Sequence, residues 1–143
     1  MNKNIIILSG GFDPIHKGHI RMFKEAYKLG KVIVGLNSNK WLERKKNNFF
    51  MSYEERKEIL DAIKYIDITE VFNDDDDTAC DLIQKIHSKY SSEYNVFFGN
   101  GGDRTNKTTP ELEFCNKNSI EMIWGLGGGK IQSSSDLLGK WVE

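Results

Sequence analysis

Residues 5–19 read Ile5-Ile6-Ile7-Leu8-Ser9-Gly10-Gly11-Phe12-Asp13-Pro14-Ile15-His16-Lys17-Gly18-His19. The unbroken apolar run from Ile5 predicts a strand buried on both faces. It ends at a glycine pair, where the backbone can pass close to a bound ligand. From Gly18 to Leu29 the pattern changes to helical spacing, with Ile20, Phe23 and Tyr27 on one side. Gly30 then stops the helix, because glycine tolerates a left-handed cap. A buried strand feeding directly into a helix is the opening unit of an α/β fold.

The same alternation continues along the chain. Lys31 to Leu36 reads as a second buried strand, and the basic stretch from Asn37 to Asn48 as a loop with one helical turn at most. Ser52-x-x-Glu55 is a capping box ahead of Ile59, Leu60 and Ile63. Strands are expected at 66–72, 95–98 and 120–124, and helices at 78–90, 111–116 and 133–141. Pro110 is well placed at a helix start. Five strands alternating with helices predict an α/β, doubly wound, five-stranded parallel sheet with helices on both faces, Rossmann-like, its crossovers right-handed. No repeat, linker or boundary divides residues 1–143, which are expected to form one domain.

Bulk properties narrow the function. The 143 residues carry 20 Lys and Arg against 21 Asp and Glu, a net charge of −1. That balance gives no electrostatic case for a nucleic-acid or membrane-surface binder. No run approaches the roughly 20 apolar residues of a membrane span, and none resembles a signal peptide, so a cytoplasmic protein is expected. Cys80 and Cys115 lack a close partner in sequence and read as free, buried thiols. Trp41, Trp124 and Trp141 read as packing residues. The acidic run Asp74 to Asp77 reads as the charged start of a helix rather than a metal site.

The turn after the first strand carries chemistry. A helix start with unpaired amides attracts phosphate, and His16 and His19 flank that start with further hydrogen-bond donors. With 3 His and 13 Gly in the chain, His-x-Gly-His arises by chance with odds of about one in 200. Zinc would need three or four protein ligands, and neither His87 nor the cysteines have a spacing that supplies them. A second candidate is Gly127-Gly128-Gly129-Lys130-Ile131-Gln132-Ser133-Ser134-Ser135, glycines and hydroxyls opening a helix.

Gly11-x-Asp13-x-x-His16-x-Gly18-His19 resembles the signature of the cytidylyltransferase-like nucleotidyltransferases with an HxGH motif. The resemblance covers most of the chain and implies the HUP-type version of the Rossmann-like fold. It implies that His16 and His19 contact the nucleotide phosphates and stabilise the pentavalent transition state. Ser9, Gly10, Gly11, Phe12 and Gly18 would line the nucleotide. The serine run resembles the family's second motif and implies that Ser133, Ser134 and Ser135 bind the β- and γ-phosphates, with Lys130 where an arginine often stands. Lys46 and Arg56 best match a loop lysine that closes over the phosphates and the supporting arginine of a Glu-x-Arg segment; Lys45 is the alternative to Lys46.

Phe98-Gly99-Asn100-Gly101-Gly102-Asp103-Arg104 lies at a carboxyl strand end and resembles the Gly-Gly-Asp segment of the heptose-phosphate adenylyltransferase branch. Gly99, Gly102 and Asp103 would then contact ribose or base. Asn37-Ser38-Asn39 resembles the family's Asn-Ser-Asp with Asn39 in the aspartate's place, which implies that Asp13, Asn37 and Asn39 face the acceptor. The resemblance further implies Mg²⁺ held mainly by the NTP phosphates, an NTP (ATP or CTP) and a small phosphorylated sugar or polyol as substrates, and a homodimer as one form. The glycerol-3-phosphate cytidylyltransferase and nicotinate-mononucleotide branches share these features, the latter being generally longer. A non-catalytic nucleotide-binding module on the same fold is the alternative of another class.

Overall fold

The computed structural model describes residues 3–101, 109–128 and 138. Five strands form one sheet: β1 (Asn4–Gly10), β2 (Lys31–Leu36), β3 (Ile68–Glu70), β4 (Asn95–Gly101) and β5 (Glu121–Leu126). Their spatial order is β3-β2-β1-β4-β5, and every recorded pairing is parallel. The chain builds outward from β1 to β3, crosses to the far side of β1, and builds outward again. The strand order therefore reverses between β1 and β4, where open α/β sheets hold their ligands.

The unbroken apolar runs have the reason anticipated for them. Ile5 and Ile7 face one core with Ile33, Phe98 and the α4 (Cys80–Tyr90) residues Leu82, Ile83 and Ile86. Ile6 and Leu8 face the other core with Val32, Val34 and Leu36, against Phe23 and Ala26 of α1 (Lys17–Leu29) and Leu60 of α3 (Tyr53–Asp61). Helix α5 (Pro110–Lys117) lies on the α4 side, with Cys115 in that core and Pro110 in its first turn.

Five expectations change. The stretch from Asn37 to Asn48 is not a loop with one turn: it contains α2 (Asn39–Lys46), capped by the Ser38 hydroxyl and closed by Asn47 in the left-handed region. Its polar surface hid it, because only Leu42 of the helix is buried. Strand β3 has three residues rather than seven, and β4 runs through Asn100 to Gly101. The acidic run does not cap α4, which begins at Cys80 behind Ala79 with no side-chain cap. Cys80 is only half-buried, whereas Cys115 is buried and burial pushes its thiol up to about 12. The expected helix at 133–141 lies, save for Leu138, outside the described residues. Among the described residues no helix is long and apolar enough to cross a membrane.

Helix α4 packs closely over β2. A Cβ at Gly35 would fall inside contact with both terminal methyls of the fully buried Leu82. Gly35→Ala should therefore lower the unfolding free energy by about 1–3 kcal/mol in urea titrations, as overpacking does. Combined with Leu82→Ala, it should cost less than the sum of the two single changes.

Candidate active site

The strand-to-helix turn is held by its own side chains. His16 is the N-cap of α1: its Nδ1 accepts from the Gly18 amide at 3.1 Å, and His19 Nδ1 accepts from the His16 amide at 3.2 Å. This reciprocal box consumes amides that would otherwise be open to phosphate. The Gly18 amide, expected to face a nucleotide, is already bonded to His16. What the turn offers instead is imidazole. With its Nδ1 accepting, a neutral His19 ring carries its proton on Nε2, which gives that residue an N–H to donate.

The two rings stack at 3.8 Å, and the edge of the Phe12 ring supports His19 at 4.8 Å. Phe12 is 6% exposed and sits at φ +50°. Its ring is therefore a buried prop beneath His19, not a surface for a nucleotide. Gly10 and Gly11 are also explained by packing: added Cβ atoms would meet the Phe12 ring at 2.9 Å and Leu42 at 2.8 Å. Ser9 is half-buried near the end of β1, opposite Gly35.

Burial, then the neighbouring His16, then Lys46 depress the His19 pKa to about 3. The capping bond to Nδ1 acts in the same direction, since it needs an unprotonated nitrogen. Lys46 thus lies near enough for its charge to be felt at His19. The Lys45 ammonium sits over the Trp41 ring, 5.8 Å from its centroid. Of the two lysines, it is Lys46 whose charge is felt at His19.

Arg56 and Asp13 bind the site's segments together. Arg56 is 1% exposed. Its Nε donates to Met51 O, its Nη1 to Gly11 O and Asn37 O, and its Nη2 to Asn39 Oδ1, all at 2.8–3.0 Å. Four of the five guanidinium N–H groups are thereby used inside the protein, leaving Arg56 as a clamp rather than a phosphate ligand. Burial lowers its pKa, and the charges of Asp13, Tyr53 and Asp74 oppose that shift. Asp13 corrects another expectation. It is 1% exposed, and its carboxylate accepts from the Phe50 and Met51 amides at 2.6 and 2.7 Å, so it is not open to an acceptor.

Asn37 and Asn39 are likewise engaged. Asn37 donates its amide N–H to Gly10 O and its Nδ2 to Asp74, while Asn39 Oδ1 receives Arg56. Asp74, which the acidic-run reading passed over, is 2% exposed and accepts from Asn37 Nδ2, Ser38 N and Ser38 Oγ. Ser38 Oγ in turn caps α2 by accepting from Trp41 N. One signal in the sequence distinguishes Asp74 from its neighbours: it stands two residues after the buried Phe72, close to the end of a strand. Gly99 is buried between Leu126 and Leu8. Gly102, Asp103, Lys130, Ser133, Ser134 and Ser135 lie outside the described residues.

Among the described residues no three His, Cys, Asp or Glu converge to hold a metal ion. The acidic oxygens nearest the turn are taken up by N–H groups. The imidazoles and the Lys46 ammonium are groups of the kind that suit phosphate oxygens.

Two measurements check this arrangement. Arg56→Met should destabilise the protein by about 3–5 kcal/mol, because buried carbonyls and the Asp13 charge lose their partner; Arg56→Lys should recover only part, since an ammonium cannot span four acceptors. His19 titrates near 3 in the fold against 6.5 in the unfolded chain. The unfolded chain therefore binds more protons between those values. Stability from this residue is intact above about pH 6.5 and is lost as pH falls toward 3. Imidazole NMR of the ligand-free protein should show His19 neutral, as the Nε2–H tautomer, at pH 5.

The sequence profile of the cytidylyltransferase-like proteins matches residues 7–123. The chain is 37% identical over 87 residues to the bifunctional protein HldE of Syntrophotalea carbinolica, covering 59% of this chain and 17% of that protein. It is 36% identical over 63 residues to glycerol-3-phosphate cytidylyltransferase of Bacillus subtilis, covering 43% and 49%. The chain therefore spans half or less of these relatives' lengths. In fold it resembles a lipopolysaccharide core biosynthesis protein from Thermoplasma volcanium, with a TM-score of 0.65 at 19% identity over 85% of this chain and 93% of that one. It also resembles a bifunctional NMN adenylyltransferase/ADP ribose pyrophosphatase from Francisella tularensis, with a TM-score of 0.67 at 15% identity over 97% and 42%. With the profile spanning most of the chain, from the middle of β1 into β5, this protein belongs to the cytidylyltransferase-like nucleotidyltransferase family.

Proposed function

We propose that this protein transfers a nucleotidyl group, AMP or CMP, from an NTP to a phosphorylated sugar or polyol and releases pyrophosphate. The observation that carries this reading is the stacked pair His16 and His19, each with Nδ1 held by a backbone amide, with the charge of Lys46 beside them. Two imidazoles held in place by the backbone and a nearby cation suit charge that develops on phosphate oxygens.

A phosphomonoester oxygen of the acceptor attacks the α-phosphorus. A new P–O bond forms, the bond from the α-phosphorus to the bridging oxygen breaks, and pyrophosphate leaves with that electron pair. The acceptor is mostly dianionic near pH 7, its second pKa being about 6, so no general base is needed. The protein's task is alignment and charge stabilisation. His16 and His19 donate to the α-phosphate and the bridging oxygen, and Lys46 neutralises charge on the leaving group. Arg56 and Asp13 act one step removed, holding the histidine turn against β2 and α3. Mg²⁺ would be held mainly by the NTP phosphates rather than by protein side chains, and would supply further charge neutralisation.

The Gly101-Gly102-Asp103 segment favours ATP and a sugar phosphate. The likeness to glycerol-3-phosphate cytidylyltransferase supports CTP and a polyol phosphate as the second reading.

The test has two stages. Thermal shifts with ATP, CTP, GTP and UTP plus Mg²⁺ should identify the base, since ligand at 100 times its Kd adds about 2.7 kcal/mol. Pyrophosphate release is then assayed with that NTP and a panel of sugar and polyol phosphates. His16→Ala should lower kcat about 10²–10³-fold, as loss of one preset donor does. Unchanged turnover in that variant would refute the mechanism. NTP binding without product from any acceptor would favour a binding module instead.

A further inference from the structure

The hydrogen-bonded ladder between β1 and β4 ends at Ile7↔Phe98. Both strands continue past that rung: β1 follows β2 as far as Gly10↔Leu36, and β4 follows β5 as far as Gly101↔Leu126. The sheet thus parts along its middle, between 8–10 on one lip and 99–101 on the other. This seam is where the strand order reverses. The β4–β5 register also shifts between Gly99 and Gly101, with Asn100 at the irregularity.

Strand alternation fixes which way Asn100 turns. Phe97 packs against the α1 side, and Cβ atoms at Gly99 and Gly101 would meet Leu8, Leu126 and Met22 on that same side. Phe98 lies in the opposite core. Asn100 follows Phe98, and Ser9 on β1 follows Ile7. Ser9 and Asn100 are therefore the first polar side chains above the last apolar rung, one on each lip of the seam. Asn100 is 5% exposed, yet its Nδ2 has no hydrogen-bond partner among the described residues. An unpaired buried amide bears its desolvation cost in full, and a group of that kind calls for an explanation.

We propose that Asn100 binds the nucleoside half of the NTP, its carboxamide donating to an acceptor atom of the ribose or base seated in the seam. The inference rests on the nucleotidyltransferase reading above. The β1 lip leads into the histidine turn and takes the phosphates. The β4 lip takes the other end of the molecule, and Asn100 is the buried side chain there with a donor unused. The unpaired donor makes the free protein slightly less stable and finds its partner when the nucleotide enters.

The test compares the parent protein, Asn100→Ala and Asn100→Asp, measuring thermal stability without ligand and titrating each by calorimetry. The titrants are the NTP giving the largest thermal shift with Mg²⁺, and inorganic tripolyphosphate with Mg²⁺. Loss of one donor predicts an NTP Kd raised about 3–10-fold in both variants. Tripolyphosphate binding should be unchanged, and the ligand-free Asn100→Ala protein should melt no lower than the parent. Unchanged NTP affinity in Asn100→Ala, with or without a lower melting temperature, overturns the proposal. A parallel loss of tripolyphosphate affinity overturns the nucleoside assignment. A parent that binds tripolyphosphate but gains nothing from any base overturns it as well, and a parent that binds neither refutes the nucleotidyltransferase reading on which it depends.

Discussion

The buried Arg56 guanidinium is the constraint on which the rest of the site depends. A charge this deep is tolerated only if its N–H groups are paired and its field is balanced. Arg56 meets the first condition through Gly11 O, Asn37 O, Met51 O and Asn39 Oδ1. The carboxylates of Asp13 and Asp74 contribute to the second. Those partners come from four separate segments: the turn after β1, the end of β2, the start of α2 and the approach to α3. Satisfying one cation therefore fixes the relative positions of all four.

Asp13 mirrors that arrangement from the other side. It belongs to the histidine turn and binds the Phe50 and Met51 amides just ahead of α3. Asp74 does the same for Asn37 and Ser38, which start α2 and so set the direction of the helix that ends in Lys46. The polar residues of the motifs thus divide into two kinds. Asp13, Asn37, Asn39 and Arg56 spend their hydrogen-bonding capacity on the protein. His16, His19 and Lys46 instead bring two imidazoles and an ammonium charge to the turn. Fixing each histidine through Nδ1 joins the two groups, because the bond that caps α1 also determines which nitrogen faces outward.

The sheet places this turn beside an opening. Parallel pairing holds β1 to β2 and β4 to β5 up to their carboxyl ends, while the β1–β4 ladder stops early. Glycines at 99 and 101 let Leu8, Leu126 and Met22 fill the α1 side at that level. The seam is therefore closed by apolar packing below and bordered by Ser9 and Asn100 above. A nucleotide lying across it would have phosphates at one lip and nucleoside at the other, which fits the order of groups in an NTP.

Sequence by itself determined the sheet, the alternation of its elements, and the presence of two histidines at the first strand–helix turn. These are carried by local patterns: apolar runs buried on both faces, a change to helical period, and glycine and capping signals. It missed α2, whose eight residues bury only Leu42, and it read the acidic run by composition alone. Only the tertiary structure decided what each polar residue does. Whether Asp13 meets substrate or backbone depends on Phe50 and Met51, 37 and 38 positions away. Arg56 depends on Gly11, 45 residues distant, and Asn37 on Asp74, 37 residues distant. A hydrogen-bond donor or acceptor has the same chemistry wherever it stands. Its role is set by which partner the folded chain brings within 3 Å, and that pairing leaves no periodicity in the sequence to read.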